Sequence, residues 1–231
     1  EDARDQLFEV AAKKLGAPVE DLVASDGHIY VDGAPEDALP LAKVIRMALI
    51  KGNNIIGRGS FAPRVNHRRE WIQNPQGQLS ETFSFGATVA EVEVDPETGQ
   101  VTVLDLWLSQ DCGTVLNPTQ VEGQWEGGAT QGGSGGVVLE EHLWTKEGRC
   151  LNPSFLEYKV PLCVDIPAMH NLFVDTFDPT GPFGAKEAGM SIAMSAAQAI
   201  VAAASNAIGK PIFDYPLTPD RVLKAMRAEG G

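Results

Sequence analysis

Gly181 to Ile208 reads GPFGAKEAGMSIAMSAAQAIVAAASNAI. Gly181, Gly184 and Gly189 punctuate a loop that carries one lysine and one glutamate, Lys186 and Glu187. The loop runs straight into an alanine-rich helix, with Ser191 placed to cap it. Open backbone amides at a helix start, with the dipole behind them, attract negative charge. Glycine lets a backbone close on a ligand where a Cβ would clash. The stretch therefore reads as an anion-binding or active-site loop, or else as a tight turn into a buried helix. Its apolar run, Ile192 to Ile208, is broken by Ser195, Gln198, Ser205 and Asn206 and dominated by alanine, so a buried helix is expected rather than membrane insertion.

Working outward, the clearest strand pair is TFSFGATVAEVEVD (Thr82–Asp95) and VTVLDLWLSQ (Val101–Gln110), joined by the turn DPETGQ. Apolar residues fall at Phe83, Phe85, Ala87 and Val89, then at Ala90, Val92 and Val94. This change of parity predicts a β-bulge near Val89. The return strand is apolar on both faces and should be central or covered on both sides.

Asp111 to Glu141 follows: DCGTVLNPTQVEGQWEGGATQGGSGGVVLEE. Asn117 and Pro118 signal a helix start. Seven glycines lie between 123 and 136. In a helix each costs roughly 1 kcal/mol against alanine, so packing must compensate. Gly123, Gly127, Gly132 and Gly136 form a bald stripe that would admit another backbone or a flat ligand. Gln124, Gly128 and Gln131 share one helical face. A flexible glycine loop is the alternative, although the interleaved Val121, Trp125, Val137 and Leu139 suit a packed element.

Elsewhere, residues 2–15 form an amphipathic helix with Leu7, Val10, Ala11 and Leu15 on one face, ended by Gly16 and Pro18. Asp26–Gly33 is a short strand or hairpin arm, and Leu41–Ile50 a second helix. From Lys51 to Ser80 the pattern dissolves into a polar loop with a basic run, Arg64 to Arg69. Loops this long are functional, pack on a partner, or are simply solvated. Cys150–Pro167 is extended and proline-punctuated, and His170–Phe177 is another strand. Thr218 caps a last helix with Pro219 at its first position. Strands and helices mix without a regular βαβ rhythm, so the class is α+β, mixed sheets with packed helices.

The chain has 231 residues, 43% apolar and 21% charged, in the range of a globular protein. A formal net charge of −13 argues against a nucleic-acid or anionic-membrane surface. Three spaced cysteines, Cys112, Cys150 and Cys163, make neither a disulfide framework nor a zinc site, so a reduced, cytoplasmic setting is expected. The chain opens at Glu1, already helical, which suggests a trimmed end or a piece whose fold begins elsewhere. GPFGAKE lacks the spacing and hydroxyl residue of a phosphate-binding P-loop. The four histidines are scattered. What remains is a glutamine- and glycine-rich surface with a Lys-Glu loop at a helix start, suited to an anionic ligand rich in hydrogen-bonding atoms.

Three runs resemble one family. DCGTVLNPTQVEGQWEGGATQG is similar to D-C-G-x-x-x-N-P-x-x-V-E-G-Q-x-E-G-G-x-x-Q-G, NPSFLEYKVP to N-P-x-F-x-D-Y-K-x-P, and GPFGAKEAG to G-P-x-G-A-K-G-V-G-E. In this order they resemble the molybdopterin-binding large subunit of the xanthine oxidase family of molybdenum hydroxylases, above all the 4-hydroxybenzoyl-CoA reductase branch. The resemblance implies that residues 1–231 are the C-terminal molybdopterin-binding region, the second half of a split large subunit. It implies a molybdopterin cofactor, its dinucleotide form included, bound together with an N-terminal-half partner, and 2Fe–2S and FAD subunits that carry electrons away. It places Gln124, Gln131, Gly184, Ala185, Lys186, Glu187, Ala188, Gly189 and Met190 on the cofactor, Lys186 to Gly189 of them at the metal, with no direct protein ligand to it. The implied activity is oxidoreduction of an aromatic, heterocyclic or acyl-CoA-type substrate.

One departure is plain. The family's general base is the glutamate that closes the G-A-K-x-x-G-E motif, and that position here is Met190. A thioether cannot take a proton. Glu187, three residues earlier, is then the catalytic candidate. The other readings are a non-catalytic assembly subunit of such a complex and a stand-alone anion-binding module.

Overall fold

Two acids in the first turn (Asp2, Asp5) and two lysines in the last complement the dipole of helix α1 (Asp2–Leu15). Gly16 ends it in the left-handed conformation, φ 69°, and its N–H bonds to Ala12 O. The computed structural model describes residues 1–60 and 80–228. They belong to two compact units, residues 1–64 and 65–231.

In the first unit a three-stranded antiparallel sheet, β1 (Leu22–Ser25), β2 (His28–Val31) and β3 (Ala34–Pro40), is followed by α2 (Leu41–Ile50). Phe8 and Ala11 of α1 pack with Leu22, Ile29, Leu39 and Val44. Helices α1 and α2 match expectation, and β2 is the expected arm. Strands β1 and β3 were not anticipated: LVAS is too short to show a period, and APEDALP, with its acids and bounding prolines, reads as loop. Its place at the sheet edge accommodates both prolines. Residues 53–60 form no helix or strand, and the basic run Arg64–Arg69 lies outside the described residues.

The second unit is built on β4 (Gly86–Val94), β5 (Val101–Gln110) and β6 (Ala168–Phe173), in the order β4-β5-β6. The apolar return strand is central, as its two-faced pattern required; β4 pairs with it antiparallel and β6 parallel. Asp95 Oδ1 accepts the N–H groups of Glu97 and Thr98 to shape the turn between β4 and β5. The bulge is not at Val89. On β4 the inward set Thr88, Ala90, Val92 and Val94 keeps one parity, while Val89 stands on the outer face. The irregularity lies on β5: Glu91 pairs with Asp105 and Val92 with Val103, so Leu104 has no partner. The strand's inward set changes from Val101 and Val103 to Leu106, Leu108 and Gln110 across that point. An apolar residue on an outer face had imitated a parity change. Strand β4 also starts at Gly86 rather than Phe83, and β6 spans Ala168–Phe173 rather than His170–Phe177.

Helix α3 (Pro118–Gly128) begins where Asn117 and Pro118 predict, with the Asn117 side chain accepting from Gln120 N at 3.2 Å. It continues without a break into a π-helix, Ala129–Leu139, whose wider turn no sequence signal announced. Helix α4 (Met190–Ile208) buries Ile192, Ala196, Ile200 and Ala204 at four-residue spacing, packing on β4 and on the π-helix. Among the described residues it is long and apolar enough to cross a membrane by length and composition, but this buried stripe is that of a core helix.

The glycines of α3 and the π-helix divide. A Cβ on Gly128 would lie 2.9 Å from Gly189 O, one on Gly132 2.6 Å from Ala193 O, and one on Gly133 3.0 Å from the Ala196 Cβ. Gly123 and Gly127 face open space. The close approach thus uses Gly132 of the expected stripe together with Gly128 and Gly133, while Gly123 and Gly127 take no part in it.

Helix α5 (Pro219–Arg227) follows Thr218, but the threonine hydroxyl makes no capping bond to the backbone. It bonds instead to Asp220, whose carboxyl it holds below the usual range.

Candidate functional site

Strand β5 ends in Gln110, 1% exposed, and runs on into Asp111, Cys112 and Gly113. These residues receive the Gly181–Gly189 loop. Gly113 pairs with Ala185 in an isolated antiparallel bridge, and Lys186 N donates to Cys112 O at 2.7 Å. Gly184 O accepts from Thr114 N (2.8 Å) and Asp178 N (3.0 Å). Asp178, buried, accepts the Thr180 hydroxyl (2.7 Å), the Thr180 N–H (2.8 Å) and the Gly181 N–H (3.3 Å). These bonds, led by the Thr180 hydroxyl, hold its carboxyl below the usual range. Between the clamps Phe183 sits at φ 55° with its ring 82% exposed.

Lys186 does not present a free charge. Its Nζ lies 2.5 Å from Asp111 Oδ2 and 3.0 Å from Phe83 O, and its side chain is only 10% exposed. Asp111 in turn accepts from the Thr176 hydroxyl and from Gly113 N at 3.1 Å. Burial pushes the Asp111 carboxyl up, but the bonds from Lys186, Thr176 and Gly113, with the lysine charge, outweigh it and hold the pKa below the ordinary value. Burial raises the neighbouring Cys112 thiol. Its proton stays on, and its sulfur is a core atom rather than a nucleophile.

Glu187 is exposed, yet its carboxylate is bonded. Oε1 accepts from Gln110 Nε2 (2.9 Å) and lies 3.2 Å from Ser191 Oγ; Oε2 accepts from Met190 N at 3.3 Å. The carboxylate, not Ser191, therefore meets the start of α4, whose N-cap residue is Gly189 at φ 121°. Ser191 lies inside the first turn. The Gly189 N–H is also taken, by Gln110 Oε1 at 2.9 Å. Two of the amides expected to stand open for an anion are thus satisfied from within the chain. Met190, where the motif resemblance implies a general base, is 68% exposed at the head of α4.

The two glutamines have different surroundings. Gln124 lies against the loop: its O and Cβ come within 3.4 and 3.5 Å of where a Cβ on Gly189 would stand. Gln131 lines a groove of about 530 Å³ with Gly123, Glu126, Gly127, Thr130 and Met169. The shared face ends where α3 becomes the π-helix.

A molybdopterin cofactor-binding domain matches residues 1–167. The chain belongs to the molybdopterin cofactor-binding family. This molybdopterin-binding chain is 32% identical over 228 residues to the nicotine 6-hydroxylase large subunit of Paenarthrobacter nicotinovorans, covering 97% of itself and 27% of that protein. It is 27% identical to a putative xanthine dehydrogenase molybdenum-binding subunit of Escherichia coli, over 98% of itself and 29% of the relative. In structure it is similar to quinoline 2-oxidoreductase from Pseudomonas putida 86, with a TM-score of 0.76 and 28% identity, covering 99% of this chain and 28% of that one. The resemblance to xanthine oxidase-family molybdenum subunits holds. The chain spans little more than a quarter of the length of these proteins.

The groove suits a flat group with polar edges, its lining including the apolar Ile166, Pro167 and Met169. Gly123 and Gly127 put no side chain into the groove, and Thr130, Gln131 and Glu126 line it with donors and acceptors. Among the described residues no group of three or more His, Cys, Asp or Glu is arranged to hold a metal. Sequence reading missed Ser84, Gln110, Asp111, Thr176 and Asp178, which set the loop. Asp111 alone carried a signal, as the first residue of the D-C-G run.

Proposed function

We propose that this chain is the C-terminal molybdopterin-binding region of the large subunit of a molybdenum-containing oxidoreductase, residues 1–231 completing the site with a partner that supplies the N-terminal half. The observation that carries this reading is the loop Gly184–Gly189, clamped to the end of β5 at the head of α4 and backed by Gln124, in a chain of the molybdopterin-binding family. The cofactor, in its dinucleotide form or not, would supply two-electron chemistry at a substrate carbon. Gln124, Gln131, the glycine-bald groove and Gly184 to Met190 would hold it, with Lys186 to Gly189 at the metal. Nicotine and quinoline, named in the relatives, favour a heterocyclic substrate, hydroxylated, dehydrogenated or reductively dehydroxylated. Iron–sulfur and FAD subunits would complete a cytoplasmic complex.

Within this reading Glu187 is the acid–base candidate, because Met190 has no titratable group. To act it would release the Met190 N–H and keep the Gln110 bond. The purified native complex is expected to contain molybdenum or tungsten and extractable pterin, with co-purifying iron–sulfur and flavin chains. Metal-free, pterin-free complex would refute the proposal. The exposed Met190 supports a second reading, a non-catalytic assembly subunit. Unchanged turnover in Glu187→Gln would remove the acid–base role, and gain of turnover in Met190→Glu would mark the natural chain as catalytically silenced.

A further inference from the structure

We infer that Gln110 is a positioning residue: one amide at the end of β5 sets the placement of the Glu187 carboxylate and the Gly189 backbone together. The inference rests on the reading of this loop as the cofactor-facing one. Gln110 is the last residue of β5 and lies in its inward set, so its side chain is fixed by the sheet rather than by the loop. A buried amide must satisfy both of its ends, and leaving one unmade is costly. Here the carbonyl end accepts from Gly189 N at 2.9 Å. That bond orients the NH₂ end toward Glu187, where it meets Oε1 at 2.9 Å and the backbone O at 3.1 Å, with Ser84 Oγ at 3.0 Å. A flipped amide would set its NH₂ against the Gly189 N–H and its oxygen against a carboxylate, so a single orientation is selected.

The consequence is a bracket two residues wide. Residues 187 and 189 cannot pivot separately, because both are tied to one planar group. Lys186, just before them, is tied to Asp111, the residue next to Gln110. Two consecutive residues at a strand end thus hold three of the four residues 186–189. The glutamate stays exposed while its backbone is fixed from beneath, which is the arrangement a displayed functional group needs.

The test uses the full-length protein in its native complex, with hydrogen exchange of the segment 184–194 read by mass spectrometry and molybdenum counted per chain. Gln110→Met and Glu187→Gln should each lower protection of the segment about tenfold or more, while residues 118–139 keep theirs. The swap Gln110→Glu with Glu187→Gln re-forms the side-chain bond with donor and acceptor exchanged and keeps the bond from Gly189 N, while the donation to Glu187 O is lost. It should recover part of the protection that Gln110→Glu alone loses, and molybdenum content should follow the same order. A residue that merely fills the core would show no such rescue. Unchanged protection in Gln110→Met, or a swap no better than Gln110→Glu, would overturn the inference. Should Gln110→Met fail to fold, Glu187→Gln, at an exposed position, decides by its own effect on the segment. Absence of molybdenum from the unaltered complex would refute the cofactor reading, while the exchange data would still judge Gln110.

Discussion

Two glycine-rich regions face each other across the head of α4, and they use glycine for different reasons. In the Gly181–Gly189 loop, Gly184 and Gly189 take backbone conformations with φ 84° and 121° that disfavour a side chain. In α3 and the π-helix the conformations are helical, and glycine is required where neighbours come close: α4 at Gly128, Gly132 and Gly133, and Pro161 at Gly135. Gly123 and Gly127 are required by neither conformation nor packing. Their surface is bare, with nothing within 4 Å of where a Cβ would stand.

The sharpest way to break this distinction is Gly184→Ala. Its Cβ would lie 2.3 Å from the Phe177 ring and 2.5 Å from Thr114 Oγ1, at a φ unfavourable to alanine. Stability should fall by about 3 kcal/mol or more, read as a lower denaturant midpoint of the full-length protein. Next comes the charge that ties this loop down. Asp111→Asn leaves Lys186 buried without its counter-charge and should cost about 2–3 kcal/mol. The folded Asp111 pKa lies below its unfolded value, so its contribution is full above the unfolded value of about 3.9 and is lost as pH falls through the lower folded one. Acid titration should therefore narrow the gap between Asp111→Asn and the natural chain. Equal stability of the two at neutral pH would show that the ion pair does not hold the loop.

Gly132→Ala probes the other region. A Cβ 2.6 Å from Ala193 O must push α4 away, at about 2 kcal/mol, with no conformational strain added. Gly123→Ala should be the smallest and of opposite sign, stabilising by up to about 1 kcal/mol because alanine is the better helix former and meets nothing within 4 Å. If it also lowers molybdenum content, the groove is occupied. If it does not, the bare glycines serve no bound group.

Local periodicity made α1, α2, the start of α3 and the central role of β5 legible, since each rests on residues a few positions apart. Strands β1 and β3 were invisible because their pairing, not their composition, makes them strands. The π-helix left no trace, as its glycines suit any helical pitch. At the site, the glycine spacing and the Lys-Glu pair marked the loop, but Lys186 gave no hint that Asp111 would take its charge. Gln110 could not be found at all: one glutamine at the end of an apolar strand has no pattern, and its partners lie in a distant part of the chain.

The unpaired Leu104 on β5 has an effect beyond its own neighbourhood. Strand β5 holds one residue more than its partner can match, and the bulge discards the surplus before the strand reaches its end. Were Leu104 paired instead, every later residue would be counted one step out, with Trp107 and Ser109 turned inward and Gln110 outward. Removing Leu104 should thus leave the Glu187 anchor in place, whereas removing a single residue between 105 and 109 should detach it. A counting error tolerated mid-strand becomes decisive a few residues later.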